Sequence, residues 1–464
     1  MARLPTIGSD AGNWGTILNE FLQISHNADG TLKGLSNFIN VKDFGAKGDG
    51  TTNDTAAIQA ALDAVTSSGT VVFPPGIYLV DGVLLHNNKI NVLGFGNATL
   101  QASSSMIRVV STNGFHDCII DGLIGIGTGA DTGSSSGRGI FHIAQGSLRC
   151  IVQNCKALNS SGSGIVDDGE ESKVLNNHIE VSGEHGIYLS SSKYAVIQGN
   201  LIKSSGTISV LSPILYSGIK IDGASYCSII GNQIIESKTQ GLTLTGPCFK
   251  NSIIGNIIKD STENDIYIAT GNDNVFSNNV IDSSSSAYDA VLTTGGTRNI
   301  ISGNYIRKTT AQSAIRWNTV DALGWDICSN NLIVFDGSFT SPAAIWVDST
   351  VAEFIQIRNN LIQKINGAGI SHGILLDGAL DTSVFGNISQ ASSRFTDNGT
   401  RTLCDSSILD LNIGSQPTIF SGSGSPEGVF AAKPGSIYVN TNGGAGTSIY
   451  VKETGTGSTG WIAK

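Results

Sequence analysis

A short pattern of apolar and polar residues recurs along the chain from about residue 150 onward. It reads apolar, any residue, Gly or Asn, Asn, any residue, Ile, as at 174–179, 197–202 and 229–234. A β-rich unit with a period in the twenties is typical of a solenoid, and the Leu ladder of leucine-rich repeats is absent. Counting a weaker first copy, the recurring Asn stands at Asn154, Asn177, Asn200, Asn232, Asn256, Asn279, Asn304, Asn331, Asn360 and Asn387.

This repeat predicts an all-β fold, a right-handed parallel β-helix. Each coil is too short to bury its own apolar face, so successive coils must stack and share one continuous core. The recurring Asn is expected at a corner of each coil, because Asn tolerates the left-handed backbone conformation. Its side-chain amide would also hydrogen-bond the Asn of the next coil and form a ladder.

A second family of strands lies between the Asn corners, and most of its members begin with Gly-Ile. Alternation along a strand predicts that the Ile and the second residue after it point inward, while the others point outward. Outward side chains on successive coils should therefore form columns with a spacing of about 4.8 Å. The predicted strands begin at Gly139, Gly164, Gly186, Gly218, Gly241, Asp265, Ala314, Ala344 and Gly373.

The two ends of the chain depart from this rhythm and define four predicted segments. Residues 1–36 contain a short amphipathic helix with apolar residues at helical spacing from Trp14 to Leu22. Residues 37–413 form the β-helix, with a strand at 38–44, a turn at 45–53 and a capping helix at about 55–65 that begins after Asn53 or Asp54. A Gly/Ser linker at 414–428 and a small β appendage at 429–464 follow.

Composition and charge exclude several classes of protein. The net charge of −10 makes nucleic acid an unexpected partner, because phosphate binding needs a basic surface. No apolar run approaches the roughly 20 residues of a membrane span, and residues 1–16 lack the pattern of a secretory leader, so neither membrane insertion nor export is expected. The seven cysteines show no CxxC spacing, which favours small buried side chains over zinc ligands or disulfides.

The opening of the predicted β-helix carries a family resemblance. The segment 41–54, which reads VKDFGAKGDGTTND, is followed by AIQAAL at 57–62. Together they resemble the start of the pectate-lyase-like superfamily, which includes polygalacturonase-type hydrolases, mannuronan C5-epimerases and bacteriophage tailspike depolymerases. The resemblance covers about residues 38–400 and implies a β-helix that acts on polysaccharide. It leaves hydrolysis, elimination and epimerisation open.

The two termini resemble a different group of proteins. Residues 4–33 are similar to the start of phage tail and tail-fibre proteins, and residues 434–461 look like a C-terminal segment common in tail proteins. This resemblance implies a virion-tail or prophage-encoded protein. It also implies a homotrimer, the usual assembly of tailspikes.

The outward positions of four successive Gly-Ile strands gather the residue types that carbohydrate chemistry needs. The loop at 206–216, which follows the longest repeat, would project beside them as a groove wall. The cluster comprises Arg138 and Phe141, then Val166 and Asp168 with Asp167, Glu170 and Glu171 close by, then Glu184, His185 and Tyr188, and finally Lys220 and Asp222.

Hydrolysis is the leading hypothesis for this cluster. Asp168 and Asp222 fall in one column two coils apart, about 9.6 Å between strands, while inverting glycosidases hold their carboxyl groups roughly 6.5–9.5 Å apart. The order Asp-Asp, His185-Gly-Ile, Lys-Ile resembles that of polygalacturonase-type hydrolases. It departs from them because the Asp pair stands at the end of its strand and Asp222 replaces a Lys. Sugar would be held by His185, Lys220, Arg138, Glu170, Glu184 and Tyr267.

Two other hypotheses remain open. Removal of the C5 proton of a uronic acid would use His185 and Tyr188, with Lys220 and Arg138 neutralising the carboxylate. The segment at 183–187 resembles the His-Gly segment of mannuronan epimerases, but their Tyr-Gly-Phe-Asp motif is absent at 138–141. A non-catalytic glycan-binding or structural tail protein is the third hypothesis.

Cofactors and further surface residues complete the expectations. Neither lead mechanism needs a cofactor, and no zinc or EF-hand pattern is present. A Ca²⁺ ion at Asp167, Asp168 and Glu170 is the one metal site considered, since clustered carboxylates are the ligands that Ca²⁺ prefers. The later outward columns form a second patch that is expected to be ordinary surface, with Tyr267, Arg316, Trp346, Asp348, His372 and Asp377.

Overall fold

The computed structural model describes most of the chain, with gaps between the described segments. These segments are 12–25, 37–104, 108–129, 139–207, 216–283, 288–310, 312–318, 323–337, 340–400, 402–404 and 419–464. The chain divides into two compact units, Met1–Thr239 and Gln240–Lys464. Arg138 and most of the predicted wall loop, at 208–215, lie outside the described residues.

The first unit is a β-helix, as the repeat predicts. Each coil contributes one strand to each of three parallel sheets. The first sheet contains Phe38–Asn40, Gly69–Phe73, Ile90–Gly94, Ile119–Asp121, Ile151–Gln153, Lys173–Leu175, Val196–Gln198 and Ser228–Ile230. The second contains Asp49–Asn53, Ile77–Val80, Thr99–Ala102, Ile124–Ile126, Lys156–Ser160, His178–Ser182, Leu201–Ser205 and Gln233–Ile235. The third contains Val83–Leu84, Val110–Ser111, Gly139–Ile143, Ser163–Asp167, Ile187–Ser190 and Ser217–Asp222.

The second unit is built from the same kind of three-strand coil. Its first sheet contains Ser252–Ile254, Val275–Ser277, Ile300–Ser302, Ile327–Ser329, Gln356–Arg358, Ser383–Phe385 and Leu403–Cys404. Its second contains Ile257–Lys259, Val280–Ser283, Tyr305–Lys308, Leu332–Asp336, Leu361–Ile365 and Ile388–Ser389. Its third contains Gln240–Thr245, Ile266–Ile268, Val291–Thr293, Ile315–Asn318, Thr340–Asp348, Gly369–Asp377 and Ser393–Asp397. A two-stranded sheet pairs Leu323–Gly324 with Ala352–Glu353.

The Asn ladder exists, but it is offset by one residue from the left-handed corner. The left-handed position is the residue before the ladder Asn, as at Asn176 (φ 54°) and Gly199 (φ 68°). The ladder Asn177 is buried, and its backbone N–H donates to the Oδ1 atom of Asn200. Asn154 is therefore a left-handed corner (φ 53°) rather than a ladder residue, and Cys155 occupies the ladder position of that coil.

The second unit holds an additional amide ladder that the sequence analysis did not predict. It runs along the residues just before the first-sheet strands, where the backbone N–H of Asn251 donates to Asn274 and that of Asn274 to Asn299. Asp326 ends it by accepting from the backbone N–H of Asn299. Buried polar groups at these corners thus find partners on the next coil.

The N-terminal elements differ in detail from the prediction. The helices are Trp14–Ser25 and Thr55–Asp63. The predicted strand at 38–44 divides into Phe38–Asn40 and a 3₁₀ turn, Val41–Phe44. Asp54 is the N-cap residue of the second helix, one of the two predicted positions, but its carboxylate accepts the backbone N–H groups of Lys47 and Gly48 rather than those of the helix. Neither described α-helix has the length and apolarity that crossing a membrane requires.

The C-terminal segment forms a four-stranded sheet that is larger than the predicted appendage. Its strands are Ile419–Gly422, Ile437–Asn440, Ile449–Lys452 and Trp461–Ala463, so the first one lies within the predicted Gly/Ser linker. Tyr438, Tyr450 and Trp461 form its small core. All seven cysteines are free, and six of them are buried, as expected from the sequence.

Candidate active site

The candidate site lies on the third sheet of the first unit, on the face opposite the core. Strand register places four side chains in one column across four coils, namely His142, Val166, Tyr188 and Lys220. Alternation turns their neighbours Phe141, Ile165, Ile187 and Ile219 into the core. His142, Tyr188 and Lys220 are nevertheless at least nine-tenths buried, so the face that carries them is covered.

A second column lies beside the first at the ends of the same strands. Ser190 pairs with Asp222, and Asp168 directly follows Asp167, the partner of Leu189. Asp168 and Asp222 therefore stand in one column two coils apart, with Ser190 between them, as predicted. The two strands that carry them are about 9.6 Å apart. A groove of about 580 Å³ opens at this column, lined by Gln145, Gly146, Leu148, Asp168, Glu170, Ser190, Ser191, Lys193 and Gly223.

Each of the two carboxylates is hydrogen-bonded by a side chain of the neighbouring column. His142 Nε2 lies 3.0 Å from Asp168 Oδ2, and the Tyr188 hydroxyl donates to Asp222 Oδ2 at 3.1 Å. Lys220 Nζ lies 3.9 Å from the same Asp222 oxygen. The site thus contains two carboxylates, each supported by its own donor.

One oxygen of Asp168 differs from the others. Its Oδ1 atom is shielded from solvent and has no hydrogen-bond partner among the described residues. On the other side, Ser111 Oγ lies 3.0 Å from His142 Nδ1 and fixes the imidazole ring. Buried carboxylate oxygens are normally satisfied, so the bare Oδ1 is an available acceptor within the site.

Burial sets the protonation of the first column. It raises the pKa of Tyr188 to about 12, and the negative charge of Asp222 acts in the same direction. Burial also lowers the pKa of Lys220, an effect that Asp222 and Glu184 partly oppose. The Tyr188 hydroxyl therefore keeps its proton at neutral pH and acts as a hydrogen-bond donor.

His185 is a buried side chain next to Tyr188 and is not among the residues that line the groove. It is buried, and its Nδ1 atom accepts the backbone N–H of Ser217 at 3.1 Å. Burial, together with the charge of Lys220, holds its pKa well below the usual value, so the imidazole is neutral. Its ring centroid lies 5.0 Å from that of Tyr188 and 5.6 Å from that of Tyr216. His185 is thus placed to orient Tyr188.

His142 was missed because the first strand is shifted by one residue. Gly139 pairs with Ser163 rather than with Gly164, so Phe141 points into the core and His142 takes the outward position. The prediction that Phe141 faces outward is therefore wrong. Alternation of the apolar Phe141 and Ile143 around a polar residue is the signal that identifies the correct register.

The carboxylates of Asp167 and Glu170, two of the three considered for Ca²⁺, have separate partners. Asp167 is fully buried on the core side, where it accepts from the backbone N–H of Gly169 and the hydroxyl of Ser172. Glu170 is exposed and lies 3.6 Å from Lys193. Within the described residues, no group of three or more His, Cys, Asp or Glu has the geometry of a metal site.

The other predicted binding residues are dispersed. Glu184 is buried, and its negative charge raises the pKa of Lys220, against the effect of burial. Tyr267 belongs to the second unit, where its hydroxyl accepts from Thr294 at 3.2 Å, so it is not part of this cluster.

Two family models match parts of the chain. Residues 38–229 match the model described as Rhamnogalacturonase A/epimerase, pectate lyase-like. Residues 207–334 match the model described as Periplasmic copper-binding protein (NosD). The first match contains the opening motif and all of the site described above.

Similarity to curated proteins is confined to short stretches. Alginate lyase 7 of Azotobacter vinelandii is 50% identical over 66 residues, which is 12% of this chain and 8% of that protein. Two mannuronan C5-epimerases of the same organism are 38% identical over 106 residues and 37% identical over 107 residues, which is 18% of this chain in each case and 8% and 6% of those proteins. The chain thus spans less than a tenth of the length of these relatives.

Similarity to solved structures extends over most of the chain but concerns the fold alone. The A-module of a mannuronan C-5 epimerase from Azotobacter vinelandii has a TM-score of 0.54 at 17% identity and covers 76% of this chain and 100% of its own. A surface adhesin of Streptococcus pneumoniae has a TM-score of 0.53 at 17% identity, covering 92% and 98%. The Dettilon tailspike protein has a TM-score of 0.52 at 14% identity, covering 82% and 74%.

Proposed function

Because residues 38–229 match the pectate-lyase-like family and the chain has its right-handed β-helix fold, we propose that it binds a polysaccharide and cleaves it by hydrolysis, as a tailspike-like depolymerase. The observation that carries this proposal is the pairing of Asp168 and Asp222 in one column beside a groove. Two carboxyl groups on either side of a glycosidic bond are the usual machinery of glycoside hydrolysis.

The surroundings of the two carboxyl groups favour different roles. The hydroxyl of Tyr188 and the ammonium group of Lys220 support Asp222 as a carboxylate, which suits a base that activates water. Asp168 Oδ1 has no hydrogen-bond partner among the described residues, so we assign to Asp168 the contact with the leaving oxygen and the role of general acid. The strands that carry the two residues lie about 9.6 Å apart, just above the roughly 6.5–9.5 Å that separates the carboxyl groups themselves when a water lies between acid and base.

The remaining residues would bind and orient the sugar. Ser190, between the two carboxylates, would contact a sugar hydroxyl, and Lys220, Glu170 and Arg138 would hold neighbouring groups. His185 keeps Tyr188 in place, a positioning role rather than a catalytic one.

Substitution of the two carboxyl groups tests the proposal. Asp168→Asn and Asp222→Asn should each lower the rate of release of reducing ends by about 100-fold or more, the usual loss when a general acid or base is removed. Asp43→Asn is a matched control, because Asp43 is exposed on the 3₁₀ turn Val41–Phe44, outside both clusters. If all three variants cleave at the wild-type rate, the assignment of the site is wrong.

Removal of a C5 proton from a uronic acid is the second candidate function. Its support is the column that brings His142, Tyr188 and Lys220 together, since such chemistry needs a proton donor, a base and a cation. Tyr188→Phe separates the candidates: it should abolish elimination or epimerisation but reduce hydrolysis only modestly. A non-catalytic tail or adhesive protein is the third candidate, favoured by the shared fold of the adhesin.

A further inference from the structure

A second cluster of charged and aromatic side chains lies on the third sheet of the second unit. Register places its members in one outward column, made of Tyr267, Leu292, Arg316, Trp346 and Leu375. A parallel column at the strand ends contains Asn318, Asp348 and Asp377. The sequence predicts an ordinary surface here, but contacts between the side chains of this face hold them in fixed positions.

Arg316 is held rigidly on this face. Its guanidinium carbon lies 4.3 Å from the centre of the Trp346 ring. Nη1 lies 3.6 Å from Asp289, and Nη2 donates to Asp348. The Arg316 side chain is 20% exposed and that of Asp348 is 29% exposed, so both remain accessible while their geometry is set.

Buried charges beneath the cluster support it. Asp289 is only 7% exposed and accepts the backbone N–H of Ser313 at 2.9 Å. Lys308 is fully buried, and its ammonium group donates to Ser283 and Thr310 while interacting electrostatically with Asp289. Buried ions are a poor source of stability, so a network of this kind indicates preorganisation of the groups above it.

Two donors at this face are unsatisfied. Arg316 Nε and Trp346 Nε1 are shielded from solvent and lack a hydrogen-bond partner within the described segments. Unpaired buried donors are rare because their desolvation is not compensated. Both belong to partly exposed side chains, so an oxygen atom of a ligand bound at this face would supply the acceptor that they lack.

We propose that this cluster, the Arg316–Trp346 site, is a second glycan-binding site that takes neutral pyranose units. An aromatic ring beside fixed planar polar groups suits a sugar, whose faces are apolar and whose edges carry hydroxyls. Uronates do not fit, because Arg316 is already paired with Asp289 and Asp348, and the second cation, Lys308, is fully buried and out of reach of a ligand. The inference shares with the proposed function only that the ligand is a polysaccharide, and it does not require cleavage.

Affinity electrophoresis of the full chain tests the site. Wild type, Trp346→Ala and Asp348→Asn would be run in native gels containing mannan, dextran, galactan or alginate. At least one neutral polysaccharide should retard wild type, and Trp346→Ala should weaken this retardation by about tenfold. Trp325→Ala is the matched control, because Trp325 is 58% exposed and stacks on Phe354 in the same unit. This control should behave as wild type.

Several outcomes would overturn the Arg316–Trp346 site: retardation by alginate alone, no retardation by any of the four polymers, or equal loss in Trp346→Ala and Trp325→Ala. Asp348→Asn preserves side-chain size and covers the case in which Trp346→Ala does not fold. Reducing ends are measured separately with wild type. Retardation that depends on Trp346 without any cleavage would reject only the proposed hydrolysis, whereas cleavage with unaltered retardation in Trp346→Ala would reject only this site.

Discussion

Two adjacent aspartates have different surroundings, one in the core and the other at the candidate site. Asp167 and Asp168 are neighbours in the chain, but alternation along the strand sends them to opposite faces of the sheet. Asp167 enters the core and is fully buried, whereas Asp168 lines the groove and contacts His142. The first is therefore expected to control stability, and the second activity.

Asp167 should make stability depend on pH. Burial raises its pKa to about 7, and the unfolded chain has the ordinary value of 3.8. Between these two pH values, the folded state therefore binds a proton that the unfolded state lacks. The resulting stabilisation is complete below about pH 4 and is lost as the pH rises towards about 7. Urea unfolding at about pH 4.5 and about pH 7.5 should show a lower free energy of unfolding at the higher pH.

Asp167→Asn provides the control for this titration. An Asn mimics the protonated acid, since its amide can donate to Ser172 while its oxygen still accepts from Gly169. The variant should lose part of the difference between the two pH values, on the order of a few kcal/mol. The rest should persist, because burial also raises the pKa of Asp265 to about 7 and that of Asp326 to about 6. An equal pH dependence in wild type and variant would show that Asp167 is not the group responsible.

At the scale of the coil, ladder residues and left-handed corners have separate functions. Asn232 Oδ1 accepts from both the backbone and the side chain of Asn200, and its own amide donates to the carbonyl of Ile197. Asn176, one residue before a ladder position, only provides the left-handed conformation. Neighbouring residues of the same type thus tolerate different substitutions.

Asn232→Ala should therefore be costly and Asn176→Gly almost neutral. The first leaves buried groups of Asn200 and Ile197 without partners, for a loss of roughly 2–4 kcal/mol in the free energy of unfolding. The second places Gly where φ is positive, which Gly adopts without strain, so we expect a change within about 0.5 kcal/mol. Denaturant unfolding of both variants checks the pair, and equal losses would contradict the division of roles.

The coils and strands could be predicted because the repeat recurs many times along the chain. The site depends instead on the register of individual strands. The repeated Asn and Gly-Ile strands specify the coil well enough to place Asp168, Tyr188, Lys220 and Asp222 on one face. The pattern does not identify His142, because Gly139 stands one position earlier in the strand register than Gly164 and pairs with Ser163. Burial of His185 and pairing of the charges depend on neighbouring coils, which no local pattern in the sequence records.

At the scale of the molecule, the N-terminal helix favours assembly. Trp14, Leu18 and Leu22 lie on its apolar side and are 44%, 38% and 37% exposed in a single chain. A helix of 12 residues is marginal in water without packing. We propose that these side chains pack against other copies of the chain, in the homotrimer that the resemblance of the termini to tail proteins implies.

Light scattering after size exclusion tests the assembly. The proposal predicts a particle of three times the 48.2 kDa chain mass. Removal of residues 1–25 should weaken the association if the exposed apolar helix contributes to it. A wild-type protein that elutes with the mass of one chain at all concentrations would contradict the homotrimer.

Incubation of the wild-type protein with a panel of neutral and uronate-containing bacterial polysaccharides tests the central claim most directly. New reducing ends and the ultraviolet absorbance of unsaturated uronates would be followed together. The account predicts reducing ends without this absorbance, because Asp168 and Asp222 would cleave the glycosidic bond with water. Reducing ends accompanied by the absorbance would contradict hydrolysis and assign elimination to the column of His142, Tyr188 and Lys220.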